Sequence, residues 1–339
     1  MTTVGTVPAS GPADPPESAR RVRSAAGGAD RVFQLALLGA GLTVLLIMVA
    51  TGVFLLGQGY LALAEDGLRF LTTQDWEPDT HHFGIAALIP DTLLIAVVAV
   101  IFAVPLATGV ALYISEYAPR RLRRALINTL DLMAAVPGVV YGLWGFFYLQ
   151  QKVIPLARFL SHFGWLPFLA IPGVNPNDPL QTATVYESST FIAAIAVALM
   201  IMPIISSLMR ESFAQAPAGE REGAYALGAT RWGMIRSVVL PFGWGGMIGG
   251  TMLGLGRALG ETIVVYMLIS PVFRIQPEIL RSGANSVAAL IALQFEAASP
   301  FGLSALFAAG LALYALTLMV NFGASAVIGR TRSGRLSEA

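Results

Sequence analysis

Two oppositely charged residues interrupt an apolar stretch in the last third of the chain, and they are the strongest candidates for binding chemistry. Arg257 and Glu261 lie within the sequence WGGMIGGTMLGLGRALGETIVVYM, which begins at Trp244. If this stretch is one helix, a spacing of four residues places both side chains on the same face. An arginine keeps its charge and offers a planar pair of donors, which suits a tetrahedral oxyanion. The pair therefore indicates an anion pathway, with a structural ion pair as the alternative.

Two other polar residues in apolar surroundings extend this candidate pathway. Thr262 follows Glu261 directly, and Asp131 lies within an apolar stretch at 126–149. Asp131 either pairs with one of the arginines at 120–124, which is the simpler interpretation, or lines the pathway as a buried carboxylate. An arginine at the centre of a bilayer costs at least about 2.5–3.5 kcal/mol. Arg257 is therefore expected to face protein or water.

Composition excludes several classes of function. The chain has 339 residues, of which 55% are apolar and 12% charged, against roughly a quarter charged in a soluble domain. It has no cysteine, which excludes disulfides and thiol catalysis, and its net charge of +1 gives no reason to expect nucleic acid. Its one lysine, Lys152, follows Gln151, so the chain cannot form the glycine-rich loop ending in Gly-Lys that binds ATP. The three histidines are too scattered for a metal site, and we predict none.

Apolar runs long enough to cross a membrane occur six times in the sequence. Each has 18 or more residues, enough to cross a hydrocarbon core of about 30 Å at about 1.5 Å per residue. Pro137 is expected to kink the third run, and the proline-containing segment 153–174 is predicted to be interfacial or re-entrant. The predicted fold class is an all-α integral membrane protein with six transmembrane helices, at 32–57, 91–114, 126–149, 190–208, 244–269 and 302–328.

The distribution of basic residues predicts the orientation. With six spans, 15 basic residues lie on one side of the membrane and five on the other, and by the positive-inside rule both termini are cytoplasmic. Residues 1–31, rich in proline, serine, alanine and glycine, are predicted to be a disordered cytoplasmic tail. The remaining segments are a first transmembrane helix with an outer loop at 32–90, a core of five transmembrane helices at 91–329 and a cytoplasmic tail at 330–339.

The loop at about 209–242, between the fourth and fifth spans, begins with the pattern of a short helix. Pro217 is suited to the start of this helix, and Glu220 and Glu222 would lie beside the positive end of its dipole. Gly228 is well placed to end it. Small residues between these ends would let a partner approach closely, and an ordinary amphipathic connector is the alternative.

A second short helix, at about 231–239, is predicted to end at Leu240-Pro241. The spacing from Glu222 to Pro241 resembles the E-A-A-x3-G-x9-I-x-L-P loop of bacterial ABC importer permeases. In that family the loop forms a coupling helix, which docks into a groove of a separate ATPase subunit. Gly223 stands where alanine is usual, a change that should weaken the helix slightly. The resemblance implies that the ATPase-coupling residues are Glu220, Glu222, Gly223, Ala224, Leu227, Gly228, Leu240 and Pro241.

Several motifs resemble those of the PstC-type permeases of phosphate-specific ABC importers. They are GLGRALGET at 254–262, AVPGVVYGLWGF at 135–146 and SVAALIA at 286–292. The resemblance extends over about residues 31–329. Asp91 stands where the family more often has glycine, and one interpretation is that it caps the second span.

The resemblance implies the permease subunit of a type-I ABC importer in the bacterial plasma (inner) membrane, which translocates inorganic phosphate and is not itself an enzyme. It implies three kinds of protein partner: a PstA-like sister permease, a PstB-like ATPase dimer and a PstS-like phosphate-binding protein. No cofactor is expected on this chain, because ATP and Mg²⁺ would bind to the ATPase. Membrane lipid is the remaining partner.

Alternatives remain for the substrate and for the class of transporter. A sulfate or molybdate importer would share the coupling loop. Glu261 is a candidate for selecting phosphate, because a carboxylate can accept a hydrogen bond from a protonated phosphate oxygen and would repel sulfate, which carries no proton near neutral pH. A secondary transporter would often show an internal repeat, and the two halves show none. A membrane hydrolase would need a nucleophile and a base within reach, which Glu261 alone does not provide.

Overall fold

Twelve α-helices and one short hairpin form the part of the chain that the structure, a computed structural model, describes: residues 28–178 and 183–333. The helices are α1 Gly28–Asp66, α2 Leu88–Leu112, α3 Arg120–Ala135, α4 Gly138–Trp144, α5 Gln150–Ser161, α6 Thr190–Ala214, α7 Ala218–Ala226, α8 Arg231–Met234, α9 Leu240–Leu259, α10 Ile263–Leu268, α11 Val287–Gln294 and α12 Pro300–Ser333. Strand β1 (Trp76–Glu77) pairs antiparallel with β2 (His82–Phe83). Wide π turns at Tyr113–Tyr117, Gly145–Leu149 and Ile235–Val239 extend α2, join α4 to α5 and join α8 to α9. Short 3-10 turns occur at Gly67–Leu71, Pro78–Thr80 and Ala183–Val185.

The chain forms two compact units, residues 1–51 and residues 52–339. The predicted disordered tail at 1–31 lies outside the described residues as far as residue 27, and residues 28–31 begin α1. The described side chains of α1 in the first unit are almost all exposed, as expected for an apolar helix surrounded by lipid. The predicted tail at 330–339 is helical as far as Ser333 and lies outside the described residues beyond it.

Five helical segments are long and apolar enough to cross a membrane, and a bent pair of helices makes a sixth candidate if the two helices form one broken span. The five are Asp30–Leu71, Leu88–Tyr117, Thr190–Ala214, Arg231–Leu259 and Pro300–Gly323, and the pair is Arg120–Ala135 with Gly138–Ser161. The predicted all-α membrane fold is therefore confirmed. The first span differs from the prediction of 32–57, because α1 continues to Asp66. The third and fifth spans differ as well.

The third span is not the continuous helix predicted at 126–149. The chain turns by 90° between α3 and the helix Gly138–Ser161. Val136 is extended, with ψ 127°, a conformation that a following proline favours, and Pro137 has no N–H to continue a helical ladder. The predicted kink at Pro137 is thus confirmed as a full break.

The segment at 153–174 divides into two parts. Its first residues belong to α5, which continues the helix that begins at Gly138. Residues 162–174 form turns in which the aromatic rings of Phe163 and Trp165 are exposed. Exposed aromatic rings next to an apolar helix are typical of a membrane interface.

The fifth span begins earlier and ends earlier than the prediction of 244–269. One helical rod runs over Arg231–Leu259, and the chain breaks at Gly260 before α10. The predicted stop at Leu240-Pro241 is wrong, because the π turn Ile235–Val239 leads directly into α9. Pro241 occupies the first turn of α9, where its missing N–H is tolerated.

Helix α6 is the centre of the core and packs along both α2 and α9. On α2, alanines recur every four residues and are fully buried; these are Ala99, Ala103, Ala107 and Ala111. A four-residue spacing puts them on one face of the helix. Small side chains there let neighbouring helix backbones approach closely in an apolar environment.

The glycines of α9 divide into a packed face and an open face. A Cβ atom at Gly246 would collide with Ser212 of α6, and one at Gly254 would lie 2.5 Å from Cδ1 of Ile205. These glycines therefore let α9 and α6 touch. A Cβ atom at Gly245 would have nothing within 4 Å. The close packing against α6 is therefore confined to one face of α9.

Two buried side chains of α2 hold the loop that precedes α11. Asp91 Oδ2 accepts a hydrogen bond of 3.0 Å from the Asn285 N–H, and Thr92 Oγ1 accepts one of 3.2 Å from the Val287 N–H. The interpretation of Asp91 as a cap of its own helix is wrong, because no side chain caps α2. Asp91 instead joins two segments that are 194 residues apart.

Candidate functional site

Arg257 lies in the last turn of α9 and is exposed at the wall of a cavity of about 430 Å³ between α6, α9 and α12. The described residues that line this cavity are Ile204, Met252, Leu253, Gly256, Arg257, Thr317 and Asn321. Arg257 is the one charged residue in that set. The C-terminal end of a helix carries partial negative charge, which favours a cation there. The arrangement presents a positive charge to an otherwise largely apolar cavity, and a guanidinium can donate strong hydrogen bonds to an oxyanion.

Helix α12 contributes polar groups that the sequence analysis missed. The Asn321 side chain packs against Gly256, where a Cβ atom would lie 3.5 Å from its Oδ1. Thr317, one turn earlier, donates a hydrogen bond of 2.8 Å to the Leu313 carbonyl. An asparagine amide supplies two N–H donors. The sequence feature that could have identified this residue is the asparagine amide of Asn321 within the apolar run LALYALTLMVNFG.

The expectation that Arg257 and Glu261 share one helix face is wrong. Gly260 closes α9, and Glu261 lies in the break before α10. Glu261 Oε1 accepts a hydrogen bond of 3.2 Å from the Val264 N–H, and Thr262 Oγ1 donates one of 3.2 Å to the Gly260 carbonyl. Side-chain bonds to nearby backbone compete with a continuous helix. The break follows from these bonds and from the low helix propensity of glycine.

Glu261 lies against the bend of the third span. A Cβ atom at Gly138 would be 3.1 Å from Glu261 Oε1, so the structure brings the break in the fifth span next to the break at Pro137. Among residues 28–178 and 183–333, no ion pair joins Glu261 to Arg257. The alternative interpretation of the two charges as a structural ion pair is therefore not supported.

Asp131 was predicted to be buried, and that prediction is wrong. It lies on α3, before the 90° bend, and its side chain is exposed. In the described part of the chain it forms no ion pair with the arginines at 120–124. It also does not line the cavity that contains Arg257.

The predicted helix-glycine-helix loop is confirmed as local structure. α7 follows Pro217, as expected for a residue with a fixed φ at a helix start. Gly228, just past its end, has φ +84°, a left-handed conformation that glycine adopts without steric cost. Thr230 caps the start of α8, because its side chain accepts a hydrogen bond of 3.1 Å from the Gly233 N–H.

Most of the predicted coupling residues lie on the exposed surface of this loop. Leu227 is 91% exposed, and Tyr225, which was not among the predicted residues, is 45% exposed beside it. The other exposed members are Glu220, Glu222, Gly223 and Gly228, while Ala224 is half-buried. Leu240 and Pro241 are half-buried in the helical rod below the loop. Leu240 and Pro241 are therefore part of the rod. The six predicted coupling residues between Glu220 and Gly228 form the surface that a partner would meet.

Arg221, which the sequence analysis did not select, fastens α7 to the core. Its Nη1 lies 3.0 Å from the carboxylate of Glu116 at the end of α2. Its Nη2 donates a hydrogen bond of 2.6 Å to the Phe213 carbonyl, and its Nε donates one of 3.2 Å to the Ala216 carbonyl. One guanidinium thus binds carbonyls at and just beyond the end of α6 and also pairs with the Glu116 carboxylate.

The histidines take part in local contacts. His81 Nδ1 lies 2.8 Å from the Glu65 carboxylate, and His162 Nε2 lies 2.9 Å from Asn177 Oδ1. The hydrogen bond to Asn177 raises the pKa of His162, with a smaller contribution from the Arg158 carbonyl. The described residues contain no group of three or more His, Asp or Glu side chains that could hold a metal ion.

Comparison with protein families gives one match over most of the chain. The model of the family described as binding-protein-dependent transport system inner membrane component matches residues 99–333.

Similar curated proteins are named as phosphate transport permeases. "Phosphate transport system permease protein PstC 2" of Mycobacterium bovis is 37% identical over 310 residues, covering 90% of this chain and 93% of that protein. PstC of Xylella fastidiosa is 38% identical, covering 86% of this chain and 88% of that protein. PstC of Mesorhizobium japonicum is 35% identical, covering 86% and 87%.

Solved structures of ABC transporters share the fold. An inward-facing structure of the MetNI methionine ABC transporter aligns with a TM-score of 0.51 at 15% identity, covering 73% of this chain and 95% of that one. A bacterial ABC transporter involved in the import of alginate aligns with a TM-score of 0.51 at 17% identity, covering 88% and 99%. The chain has the fold of type-I ABC importer permeases.

Proposed function

The chain belongs to the family of binding-protein-dependent transport system inner membrane components, and from this premise we propose that it moves inorganic phosphate into the cell as a PstC-type permease. It is a multi-pass inner-membrane protein and a permease subunit rather than an enzyme. The observation that carries the substrate class is the cavity beside α9, in which Arg257 is the charged lining residue described. Relatives that are 35–38% identical over most of the chain and named for phosphate transport support the identity of the oxyanion.

Arg257 would bind the phosphate directly, and Glu261 and Thr262 would act at the break that follows. A guanidinium forms short, strong hydrogen bonds with phosphate oxygens. The Glu261 carboxylate is half-buried and would accept a hydrogen bond from a protonated phosphate oxygen. The break between α9 and α10 faces the bend at Pro137, and irregular backbone at membrane depth is tolerated where it is buried or lines a cavity.

The helical rod Arg231–Leu259 would connect this site to the energy source. It is continuous for 29 residues, about 40 Å at the rise of an α-helix. One end of the rod is α8, which follows α7, and the other end carries Arg257. Movement of α7 by a partner would therefore tilt the rod and change which side of the membrane the cavity faces.

A permease of this family works in a transporter complex with an ATPase and other subunits. We propose that α7, with exposed Leu227 at its end, docks into a PstB-like ATPase dimer, which binds ATP and Mg²⁺, and that this chain binds no cofactor. A PstA-like permease would complete the pathway, and a PstS-like protein would deliver phosphate. The rivals are a sulfate or molybdate permease with the same coupling loop, and a secondary transporter that needs no ATPase.

Uptake of labelled phosphate tests the proposal and separates these rivals. The chain is expressed with its partner subunits in cells that lack their own high-affinity phosphate transport. Phosphate uptake that excess sulfate and molybdate do not inhibit is expected. Uptake of labelled sulfate or molybdate with no phosphate uptake would contradict the substrate. Phosphate uptake that persists without the ATPase would contradict the importer class.

A further inference from the structure

A polar cavity, separate from the one that contains Arg257, lies where α2, α3, α6 and α7 meet. Its volume is about 140 Å³, and its lining is Ile114, Ser115, Arg123, Arg210, Ala214 and Arg221. Three of these six residues are arginines, and they come from three different helices. The two cavities share no lining residue. Arg210 follows Ile204 of the first cavity by six residues on α6, about 9 Å along the helix axis.

The cavity has more positive charge than its surroundings neutralise. Glu116 is the one carboxylate that pairs with any of the three arginines in the described part of the chain, and it binds Arg221 at 3.0 Å. The same carboxylate also accepts a hydrogen bond of 2.7 Å from Ser115 Oγ. Arg123 donates one hydrogen bond of 2.7 Å, to the Ser115 carbonyl. Among the described residues, no carboxylate pairs with Arg123, which is exposed, or with Arg210, which is half-buried.

Arg210 has a buried donor that the described residues leave unsatisfied. Its Nε is buried and has no hydrogen-bond partner. A buried donor without a partner costs about 1–3 kcal/mol, and more when the group is charged. Such a group indicates a bound water or ion. Here the excess charge of two guanidiniums favours an anion over water.

We propose that this arginine cavity binds a phosphate group, which completes the hydrogen bonding of Arg210 and Arg123. Guanidiniums match the tetrahedral oxygens of a phosphate group. The group has two sources with the same chemistry, free inorganic phosphate and the headgroup of an anionic lipid. Arg221 lines the cavity and also holds α7, so an occupied cavity would stiffen the attachment of α7 to α2 and α6.

Binding measured on the purified transporter complex tests this proposal. All variants carry Arg257→Gln, so that the cavity beside α9 contributes little, and none of the readouts depends on transport. Equilibrium binding of labelled inorganic phosphate is measured on one sample. Retention of phosphatidylglycerol is counted by native mass spectrometry on a second sample.

Arg210→Gln is expected to weaken the binding of one of these two ligands by at least tenfold. Arg124→Gln is the matched control. Arg124 is exposed and lies next to Arg123 on α3, outside the cavity lining. Loss of inorganic phosphate binding would identify the free anion, and loss of phosphatidylglycerol would identify the lipid headgroup. Equal binding of both ligands with and without Arg210 would overturn the proposal.

A second variant keeps the test valid if Arg210→Gln does not fold. Ala214→Leu adds volume at the lining of the cavity and removes no charge. It is expected to cause the same loss of ligand as Arg210→Gln. Unchanged binding in a folded Ala214→Leu protein would count against the site.

Discussion

Arg221 on α7 forms an ion pair with Glu116 at the end of α2, and the carboxylate side of this pair is almost inaccessible to solvent. The side chain of Glu116 is 5% exposed and that of Arg221 is 21% exposed. The two residues are 105 positions apart, so the pair joins the proposed coupling helix directly to the membrane core. Any force on α7 therefore reaches α2 as well as the rod that begins at α8.

Glu116→Gln is expected to lower thermal stability and to uncouple ATP hydrolysis from transport. Hydrogen bonds to charged groups contribute about 1.5–3 kcal/mol, so a loss of about 1–3 kcal/mol is expected. The measurements are thermal unfolding of the purified protein and the ratio of phosphate transported to ATP hydrolysed. Glu211→Gln is the control, because Glu211 is exposed near the end of α6. Equal effects of the two substitutions would show that the ion pair has no special role.

Gly223→Ala and Gly228→Ala are expected to have opposite effects on α7. Gly223 is helical with nothing within 4 Å of an added Cβ atom, so alanine should stabilise the helix by up to about 1 kcal/mol. Gly228 has φ +84°, and alanine there should cost about 1–2 kcal/mol. Thermal unfolding of the two variants measures both changes. Changes of the same sign would contradict this account of the loop.

Gly246→Ala is expected to destabilise the protein, whereas Gly245→Ala is not. The added methyl group at Gly246 would collide with Ser212 of α6, and the one at Gly245 would meet open space. Overpacking of this kind costs about 1–3 kcal/mol. The comparison of unfolding temperatures uses two neighbouring glycines on one helix, so helix propensity cancels. A larger loss of stability in Gly245→Ala than in Gly246→Ala would contradict the packing of α6 against the Gly246 face of α9.

Asp91→Ala is expected to release the loop at 285–287 from α2. The substitution leaves the buried Asn285 N–H without its acceptor, which should cost about 1–3 kcal/mol. Amide hydrogen exchange of this loop is expected to become faster than in Asp75→Ala, a control at an exposed carboxylate. Unchanged protection of the loop in Asp91→Ala would contradict the proposed role of this hydrogen bond.

The sequence predicted the all-α membrane fold and the helix of the coupling loop because both depend on local patterns. An apolar run of 18 or more residues indicates a span without knowledge of its neighbours. Pro217 and Gly228 mark the ends of α7 through their own backbone preferences. The kink expected at Pro137 has the same local origin, although the structure has a full break there.

Contacts between distant segments could not be predicted in this way. The ion pair of Glu116 with Arg221 joins residues 105 positions apart, and Asn321 reaches the Arg257 cavity from the last helix. The helix face shared by Arg257 and Glu261 was predicted wrongly, because side-chain bonds at Gly260 and Val264 end the helix between them. A four-residue spacing fixes a face only where the helix is continuous.

Arg257 is the residue on which the proposed phosphate pathway depends, and uptake by Arg257→Gln tests it most directly. Labelled phosphate uptake is measured for the complete complex with wild-type chain, with Arg257→Gln and with Arg281→Gln, a control at an exposed arginine far along the chain. Membrane levels of the three proteins are matched by immunodetection. Loss of at least nine-tenths of uptake in Arg257→Gln, with normal uptake in Arg281→Gln, is the predicted result. Undiminished phosphate uptake in Arg257→Gln would contradict the account, because the anion would then cross without the one charged group described at the cavity.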